Sequence, residues 1–340
     1  MVRRLIVGGT GQDGAILARQ SLNLGYEVAV TYRLDGSPNL WRLEQMGIQE
    51  SLQYFQYAVG DAFGLAKAIK EFQPDQIFFA IGNSATVSSL EHPERAAYVN
   101  GFGTAEQLRV LRDGAPETAA VFFGSSEVFG YRKKPNVAVH ETSPVKPGNP
   151  YGISKLYASQ MVDFYRTSFG MPLFEAVLFP HESGFRGGEF LVRKVCRTIA
   201  EYKTQKDAHI PKKFGAIEST RDWGDAETYM AWMGDLVEKG EPDKYVFASG
   251  VSRSVLDIFR LAGAAVGLEL AIGEADAGLG LYDSSTNRLV ARANIRSLAN
   301  EGYGPIGDTS RLSASLGGLD QPNFFETIKK LVIHDVSKVQ

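Results

Sequence analysis

The sequence predicts an α/β protein built on a doubly wound parallel sheet, and three observations carry that prediction. Short runs rich in β-branched and aromatic residues alternate with longer stretches of helical period, as in repeated β-α units. The runs are almost continuously apolar, as strands covered on both faces must be. A glycine-rich turn separates the first run from the first helical stretch. Together these features are typical of an open sheet with helices on both of its faces.

The apolar runs are the expected strands. They are Leu5–Val7, Glu27–Tyr32, Gln53–Val59, Gln76–Ile81, Ala119–Phe123 and Leu173–Phe179. The helical stretches between them include Ala15–Leu24, Ala62–Phe72 and Gly103–Arg112. After about Glu182 the pattern becomes irregular, with clusters of Pro, Gly and charged residues. We therefore expect a sheet-bearing domain over 1–182 and a smaller, partly helical lobe over 183–340, some segments of which return to the main sheet.

Composition and charge exclude several classes of protein. Hydrophobic residues make up 44% and charged residues 22% of the 340 residues, which is ordinary globular usage and argues against disorder. The formal net charge of −3, with both signs interspersed, provides no broad basic face for nucleic acid. Cys196 is the only cysteine, so an internal disulfide is impossible. The apolar part of Met1–Thr10 is too short for a signal peptide or a membrane span, so we expect a cytoplasmic protein without a membrane partner.

The glycine-rich turn is the first candidate site. It reads Gly8-Gly9-Thr10-Gly11-Gln12-Asp13-Gly14, a G-x-x-G-x-x-G pattern directly after a strand and directly before a helix. Glycines there allow a tight turn, close approach of the backbone to a pyrophosphate and packing of helix on strand, while the helix N-terminus favours negative charge. A tight turn without a ligand is the alternative. We favour a Rossmann-type dinucleotide site whose cofactor-binding residues are Gly8, Thr10, Gly11, Gln12, Asp13 and Gly14.

Two further residues bear on the identity of the dinucleotide. Arg33 closes the second strand, where an acid holds the ribose 2′-hydroxyl of NAD and an arginine suits the 2′-phosphate of NADP. This favours NADP, although a solvated loop arginine fits equally well and Asp35 could serve NAD. Asp61 follows the third strand, where it could reach the adenine amino group or cap a turn.

A second candidate site combines residues from two places in the chain. Tyr151 and Lys155 form a Y-x-x-x-K pair on one face of a helix that Pro150 is suited to begin. A lysine ammonium beside the phenol would lower its pKa from about 10, so that the tyrosine could remove a hydroxyl proton as hydride leaves for a nicotinamide. Alone the pair would more often lie on the surface, but Ser125 stands at the end of the fifth strand and could hold the reacting oxygen. Glu127 either begins a helix or supplies a carboxylate that removes a carbon-bound proton.

Less common motifs are spread over most of the chain. They are Gly11-Gln12-Asp13-Gly14, Ser125-Ser126-Glu127, Asn149-Pro150-Tyr151-Gly152, His181-Glu182-Ser183 and Thr220-Arg221-Asp222-Trp223-Gly224. In these motifs the sequence resembles the GDP-mannose 4,6-dehydratases, within the extended short-chain dehydrogenase family. The resemblance implies that NADP takes hydride from C4 of the sugar, that water is eliminated across C5 and C6, and that the hydride returns to C6.

The resemblance also implies roles for individual residues. Ser125 would be the hydroxyl of the site, Glu127 the C5 base, Tyr151 the C4 base and Lys155 its partner. The substrate-binding residues that it implies are Ser84, Ser126, His181, Glu182, Arg193, Lys194, Arg221 and Arg296.

The chain departs from the family pattern at several positions. Arg33 is followed by Leu34 instead of a second arginine, Ser125 replaces a threonine, and Gly148 and Pro180 replace an arginine and an asparagine. Because these changes cluster around the sugar and the diphosphate, the exact sugar and nucleotide stay open.

The sequence leaves alternative functions open and also bears on metal binding and on the assembly state. A nucleotide-sugar 4-epimerase or decarboxylase of the same superfamily would also use Ser, Tyr and Lys, and a non-catalytic dinucleotide sensor would keep the fold without turnover. The histidines lack partners at metal-ligand spacing, so we expect no metal site. Members of the family pair through two long helices, so the resemblance implies a homodimer or homotetramer in which Gly103–Arg112 and Tyr151–Phe169 supply the contact.

Overall fold

A seven-stranded parallel sheet forms the centre of the fold. The computed structural model describes residues 1–33, 39–82, 86–205, 208–276, 278–294, 303–321 and 323–339. The strands in chain order are β1 Arg3–Val7, β2 Glu27–Tyr32, β3 Gln53–Gln56, β4 Gln76–Phe79, β5 Ala119–Phe123, β6 Ala138–Val139, β7 Leu173–Leu178, β8 His181–Glu182, β9 Lys212–Ala216, β10 Thr220–Asp222, β11 Gly224–Asp225, β12 Lys244–Phe247, β13 Ser252–Ser254, β14 Leu270–Ala275, β15 Gly278–Asp283, β16 Leu289–Asn294 and β17 Ile306–Gly307.

Helices cover the sheet and build the rest of the molecule. They are α1 Gln12–Asn23, α2 Trp41–Gln45, α3 Ala62–Phe72, α4 Thr86–Glu91, α5 Pro93–Ala96, α6 Gly103–Gly114, α7 Pro150–Phe169, α8 Leu191–Thr204, α9 Ala226–Lys239, α10 Val255–Ala264, α11 Ser310–Leu316 and α12 Phe324–Val339. A π-helical segment, Ala97–Phe102, joins α5 to α6, and short 3₁₀ turns span Gln49–Ser51 and Ser126–Phe129.

The order of strands across the main sheet is β12-β7-β5-β4-β1-β2-β3. The direction of chain progression reverses between β1 and β4, and in such sheets a crevice opens at the carboxyl ends of the strands near that point. The structure thus confirms the predicted doubly wound parallel sheet of Rossmann type.

Side chains of β1 alternate between two cores. Ile6 packs with residues of α1 and α9 on one face of the sheet. Leu5 and Val7 pack with residues of α3, α6 and α7 on the other face. Because both faces are covered in this way, the strands could be recognised as continuous apolar runs.

The predicted strand bounds hold at β2 and β5, and differ at the edge of the sheet. The expected strand Gln53–Val59 ends at Gln56 instead, so that part of the prediction was wrong. The chain turns there, because Asp61 N donates to Ala58 O across 2.9 Å and Gly60 has a φ of +98°, a conformation that favours glycine.

The chain beyond β8 builds a further core. Helices α8, α10 and α12 pack there with a smaller sheet of order β14-β15-β16-β9. β12 comes from the same part of the chain but lies in the main sheet, parallel to β7. Among the described helices, none combines the length and the apolar character that crossing a membrane requires.

Candidate active site

The glycine turn lies between β1 and α1, at the carboxyl end of the central strand. Gly8 has a φ of +93°, which a side chain would strain. A Cβ on Gly14 would lie 2.5 Å from the Gly8 carbonyl oxygen, so only glycine allows the first turn of α1 to pack on the loop. Gly11 is the N-cap of α1 and provides no side-chain cap, so the amides at this helix end stay available to an anion. The loop therefore has the geometry that a dinucleotide pyrophosphate needs.

Gln12 and Asp13 connect this loop to the strand β8. Gln12 is buried, its side-chain nitrogen donates to Asp13 Oδ1 across 2.8 Å, and its side-chain oxygen accepts from the Ser183 hydroxyl across 2.9 Å. His181 Nε2 lies 3.0 Å from Asp13 Oδ1, and His181 Nδ1 lies 2.6 Å from Phe179 O. Both ring nitrogens of His181 therefore lie close to oxygen atoms of the protein, and its predicted contact with the substrate stays a prediction.

Asp13 and His181 each shift the pKa of the other towards its charged form. Burial alone would lower the pKa of His181, but the carboxylate of Asp13 raises it above its ordinary value. Burial acts to raise the pKa of Asp13, yet His181 and the hydrogen bonds from His181 and Gln12 hold it well below its usual range. The contact therefore favours the charged form of both side chains and ties the glycine loop to β8.

Two arginines near the loop were missed by the sequence analysis. The guanidinium of Arg42 donates to Thr10 O across 3.1 Å and to Phe185 O across 2.8 Å. Arg186 Nε lies 3.5 Å from Glu182 Oε2, and its charge lowers the pKa of both Asp13 and Tyr151. No local motif singles out either arginine, because each is brought to the loop by the fold.

The other predicted cofactor residues lie at the ends of neighbouring strands. Arg33 directly follows β2 and is exposed. Asp61 is the N-cap of α3, and its side chain accepts from Gly64 N across 2.9 Å. The capping role that the sequence left open for Asp61 is therefore present.

Tyr151, Lys155 and Ser125 converge below this crevice. Ser125 follows β5, while Tyr151 and Lys155 lie on α7, and all three are buried. Ser125 acts to lower the pKa of Tyr151, and its hydroxyl accepts from Glu127 N across 3.2 Å. Lys155 Nζ donates to Phe123 O across 2.7 Å. The helix begins where the sequence predicts, because Asn149 caps it and Pro150 occupies its first turn.

The predicted lowering of the Tyr151 pKa was wrong, because the pKa is raised in the structure. Burial raises the pKa of Tyr151 to about 12, the Ser125 hydrogen bond acts in the opposite direction, and the Glu127 carboxylate raises it further. Burial also lowers the pKa of Lys155 to about 8. The prediction placed the two groups in water-like surroundings, whereas the fold removes both from solvent, and burial disfavours each charged form.

Glu127 lies in the 3₁₀ turn after Ser125, and Asn149 holds its carboxylate. The Asn149 side-chain nitrogen donates to Glu127 Oε2 across 2.7 Å, while its side-chain oxygen accepts from Gly152 N across 2.8 Å. Asn149 was recognised only as part of a motif. Its bond to Glu127 makes it a residue of the site.

A cleft opens beside Glu127. Its lining residues are Ser126, Glu127, Gly130, Tyr131, Phe179, Pro180, Arg221, Asp222, Gly304 and Pro305. The Arg221 guanidinium lies over the Tyr131 ring at 4.6 Å from its centroid, contacts the Tyr131 hydroxyl and donates to Thr220 O across 2.7 Å. A carboxylate and a guanidinium thus face the same cleft, as a sugar bearing a diphosphate would require.

Other predicted substrate residues within the described ranges do not line this cleft. Arg193 is buried on α8 and pairs with Asp335 of α12 across 2.9 Å, whereas Lys194 is exposed. Glu182 is buried beside Arg186, and burial raises its pKa. Ser84 and Arg296 lie outside the described residues. Of the predicted cations, Arg221 is therefore the one that reaches the cleft in the described part of the chain.

Comparison with known proteins gives matches along nearly the whole chain. A family model described as GDP-mannose 4,6 dehydratase matches residues 5–331. The GDP-mannose 4,6-dehydratase of Yersinia enterocolitica is 33% identical over 279 residues, which cover 79% of this chain and 73% of that relative.

Solved structures of other enzymes share the fold. The dTDP-glucose 4,6-dehydratase of Bacillus anthracis in complex with NAD has a TM-score of 0.79 at 16% identity, covering 99% of this chain and 97% of that one. RMD from Pseudomonas aeruginosa complexed with NADPH has a TM-score of 0.75 at 18% identity, covering 99% of this chain and 100% of that one. At these identities the likeness shows the architecture.

Proposed function

The chain belongs to the GDP-mannose 4,6-dehydratase family, and we propose that it is a nucleotide-sugar 4,6-dehydratase acting on GDP-mannose or a related GDP-sugar. The observation that carries this proposal is the position of Glu127. Its carboxylate shares a cleft with Arg221 and is held by Asn149, one residue before the helix that bears Tyr151 and Lys155. An epimerase needs no carboxylate to remove the C5 proton, so this arrangement favours the dehydratase.

Tyr151 is the proposed base at the C4 hydroxyl. Its phenolate removes that proton and becomes the phenol, while the Ser125 hydroxyl donates to the same sugar oxygen. A nicotinamide dinucleotide, when bound, supplies the hydride acceptor for C4 and the hydride donor for C6. Lys155 is buried on the same helix face and places a positive charge near the developing phenolate.

Glu127 is the proposed base at C5. Once C4 is a ketone, the C5 proton is acidic, and the carboxylate removes it as the C6 hydroxyl leaves as water. After hydride has been added at C6, C5 regains a proton from a group that exchanges with solvent. The bond from Asn149 keeps one carboxylate oxygen fixed, so the other oxygen is the one directed at the sugar.

NADP is the proposed cofactor, with NAD as the alternative. The glycine loop and the helix end at Gly11 support the binding of a dinucleotide. The position of Arg33 after β2 supports a 2′-phosphate on that dinucleotide. Proteins of this fold hold either NAD or NADPH. Mass analysis of the nucleotide released from the purified protein distinguishes the two.

A homodimer or homotetramer is the proposed assembly. The predicted contact segments are Gly103–Arg112 and Tyr151–Phe169. On α7 and on the π-helical segment that leads into α6, which lies beside α7, large apolar side chains are exposed, and a partner subunit would cover them. These are Tyr98, Phe102, Ile153, Tyr157 and Phe164. Light scattering at micromolar concentration tests this proposal, and a monomer would contradict it.

We also propose that the protein works in the cytoplasm, where a single buried thiol such as Cys196 stays reduced.

The reaction itself is tested by incubating the purified protein with GDP-mannose in heavy water. The dehydratase gives a product that has lost one water and carries one solvent-derived deuterium at C5. An E127Q variant should not release water. An unchanged mass of GDP-mannose would indicate an epimerase or a non-catalytic dinucleotide sensor. With a nucleotide-linked uronate as substrate, loss of carbon dioxide would indicate a decarboxylase. Each of these results would overturn the proposal.

A further inference from the structure

A buried carboxylate that the proposed mechanism does not use lies on the strand next to β5, the strand that Lys155 contacts. Glu175 is on β7, next to β5, and is 2% exposed. A Cβ on Gly124 would lie 2.8 Å from Glu175 Oε1, so the carboxylate touches the backbone immediately after Phe123. Phe123 O in turn accepts from Lys155 Nζ across 2.7 Å. The ammonium and the carboxylate therefore contact two consecutive residues, the last residue of β5 and the one that follows it.

Glu175 is anchored from two elements of the fold. Its Oε2 atom accepts from the Ser159 hydroxyl across 2.9 Å and lies 3.3 Å from Lys244 Nζ. Lys244 Nζ also donates to Ser159 Oγ across 2.9 Å and to Asp163 Oδ2 across 3.0 Å. Ser159 and Asp163 are on α7, one and two turns beyond Lys155. The anchor thus fixes the carboxylate relative to the helix that carries the site.

We propose that Glu175 is a positioning residue for Lys155: its buried carboxylate, held by Ser159 and Lys244, keeps the Lys155 ammonium protonated one turn of α7 beyond Tyr151. The proposal rests on the proposed function only in that it assigns Lys155 to the support of Tyr151. Glu175 itself touches neither substrate nor cofactor.

The charges around Lys155 favour this assignment. Burial lowers the pKa of Lys155, and the charge of Glu175 acts in the opposite direction. Lys155 is four positions beyond Tyr151 on α7. Its ammonium meets the carbonyl of Phe123 on β5 and the backbone after β4, where an added Cβ on Gly82 would lie 3.5 Å from Lys155 Nζ. Around Glu175, β12 contributes Lys244 and α7 contributes Asp163. Burial raises the pKa of Glu175, and the charge of Lys244 and the hydrogen bond from Ser159 act in the opposite direction. With these two partners, Glu175 is the carboxylate placed to offset the burial of Lys155.

The E175Q variant tests the proposal, because glutamine keeps the volume and an acceptor for Ser159 but removes the charge. Without that charge Lys155 loses its proton at lower pH. The alkaline limb of the pH profile of kcat should move to lower pH by roughly one unit, with little change in KM. A second readout does not depend on turnover: titration of Lys155 by NMR of ¹³Cε-labelled lysines, assigned with K155M, should show the same downward shift.

Matched controls separate this effect from a loss of stability. Glu141 is another acidic residue with a buried side chain, bonded to Val246 N across 2.9 Å, so E141Q should leave both titrations unchanged. If E175Q folds poorly, the double variant E175Q/K244M removes both partners and should still show the shift.

The outcomes are distinguishable. An unchanged Lys155 titration in E175Q, or an equal shift in E141Q, would overturn the positioning role. If the wild-type protein has no dehydratase activity, the proposed function fails, while the NMR titration still decides whether Glu175 holds the charge of Lys155.

Discussion

The side-chain amide of Asn149 bonds to Glu127 and to the first turn of α7 at the same time, at 2.7 Å and 2.8 Å. One residue therefore fixes the carboxylate proposed to act at C5 and caps the helix that carries the residues proposed to act at C4. The two halves of the proposed chemistry are coupled through a single planar group, so a small displacement of that group would affect both.

The N149A variant should separate the two contributions of Asn149. Loss of the bond to Glu127 should lower kcat roughly 10- to 100-fold with little change in KM, because a misplaced base reacts slowly. Loss of the cap should lower the free energy of unfolding by about 1 kcal/mol. N149S is the control, since serine caps a helix but is too short to reach Glu127. It should recover the stability and keep the low kcat, and a fully active N149S would contradict the proposed role.

The K155M variant should be inactive yet more stable than the wild-type protein at neutral pH. The pKa of Lys155 is about 8 in the folded protein against an ordinary value of 10.5, so the fold disfavours the charged form, and wild-type stability rises as the pH increases between these values. Urea unfolding should show a gain of about 1–3 kcal/mol for K155M at neutral pH, shrinking above pH 8. K155R, which stays charged, should show no such rise with pH. A K155M protein less stable than wild type at neutral pH would contradict the assignment.

The ion pair of His181 with Asp13 should make the stability of the wild-type protein depend on pH. The pKa of His181 is raised above its ordinary value of 6.5 and that of Asp13 is lowered below its ordinary value of 3.8, so the contribution of the pair is complete between these two values and is lost as the pH rises through the raised pKa of His181. The difference in unfolding free energy between wild type and H181N should be about 1.5–3 kcal/mol at acidic pH and should decrease towards alkaline pH. Urea unfolding across this range measures it. A difference that is constant with pH would show that His181 is neutral.

Tyr131 should determine how tightly the nucleotide sugar binds. Its ring lies under the Arg221 guanidinium at 4.6 Å. The Y131A variant should raise KM for the nucleotide sugar about two- to fivefold, the value of a cation–π contact at a partly exposed site, and should change kcat little. Y131F keeps the ring and should have a smaller effect. If Y131F and Y131A behave alike, the hydroxyl contact and not the ring positions Arg221.

The sequence was sufficient for the sheet and the glycine loop, because both depend on neighbours along the chain. Apolar runs of strand length and glycines at fixed spacing are local features. Contacts between distant residues could not be predicted in this way. Glu127 and Asn149 are 22 positions apart, and Arg193 meets Asp335 across 142 positions. The raised pKa of Tyr151 is also a consequence of burial, which the Y-x-x-x-K spacing does not contain.

Arg193 provides the sharpest test of a predicted substrate residue. Its guanidinium is buried and paired with Asp335 between α8 and α12, so its first contribution is to stability. The D335N variant leaves the guanidinium without its partner and should lower the free energy of unfolding by about 3–5 kcal/mol, whereas R193M/D335L, which removes both charges, should be close to wild type. If Arg193 instead gripped the diphosphate, the double variant would be stable but would have a strongly raised KM for the nucleotide sugar. We expect a KM close to that of the wild-type protein, measured beside R221M, which should raise it.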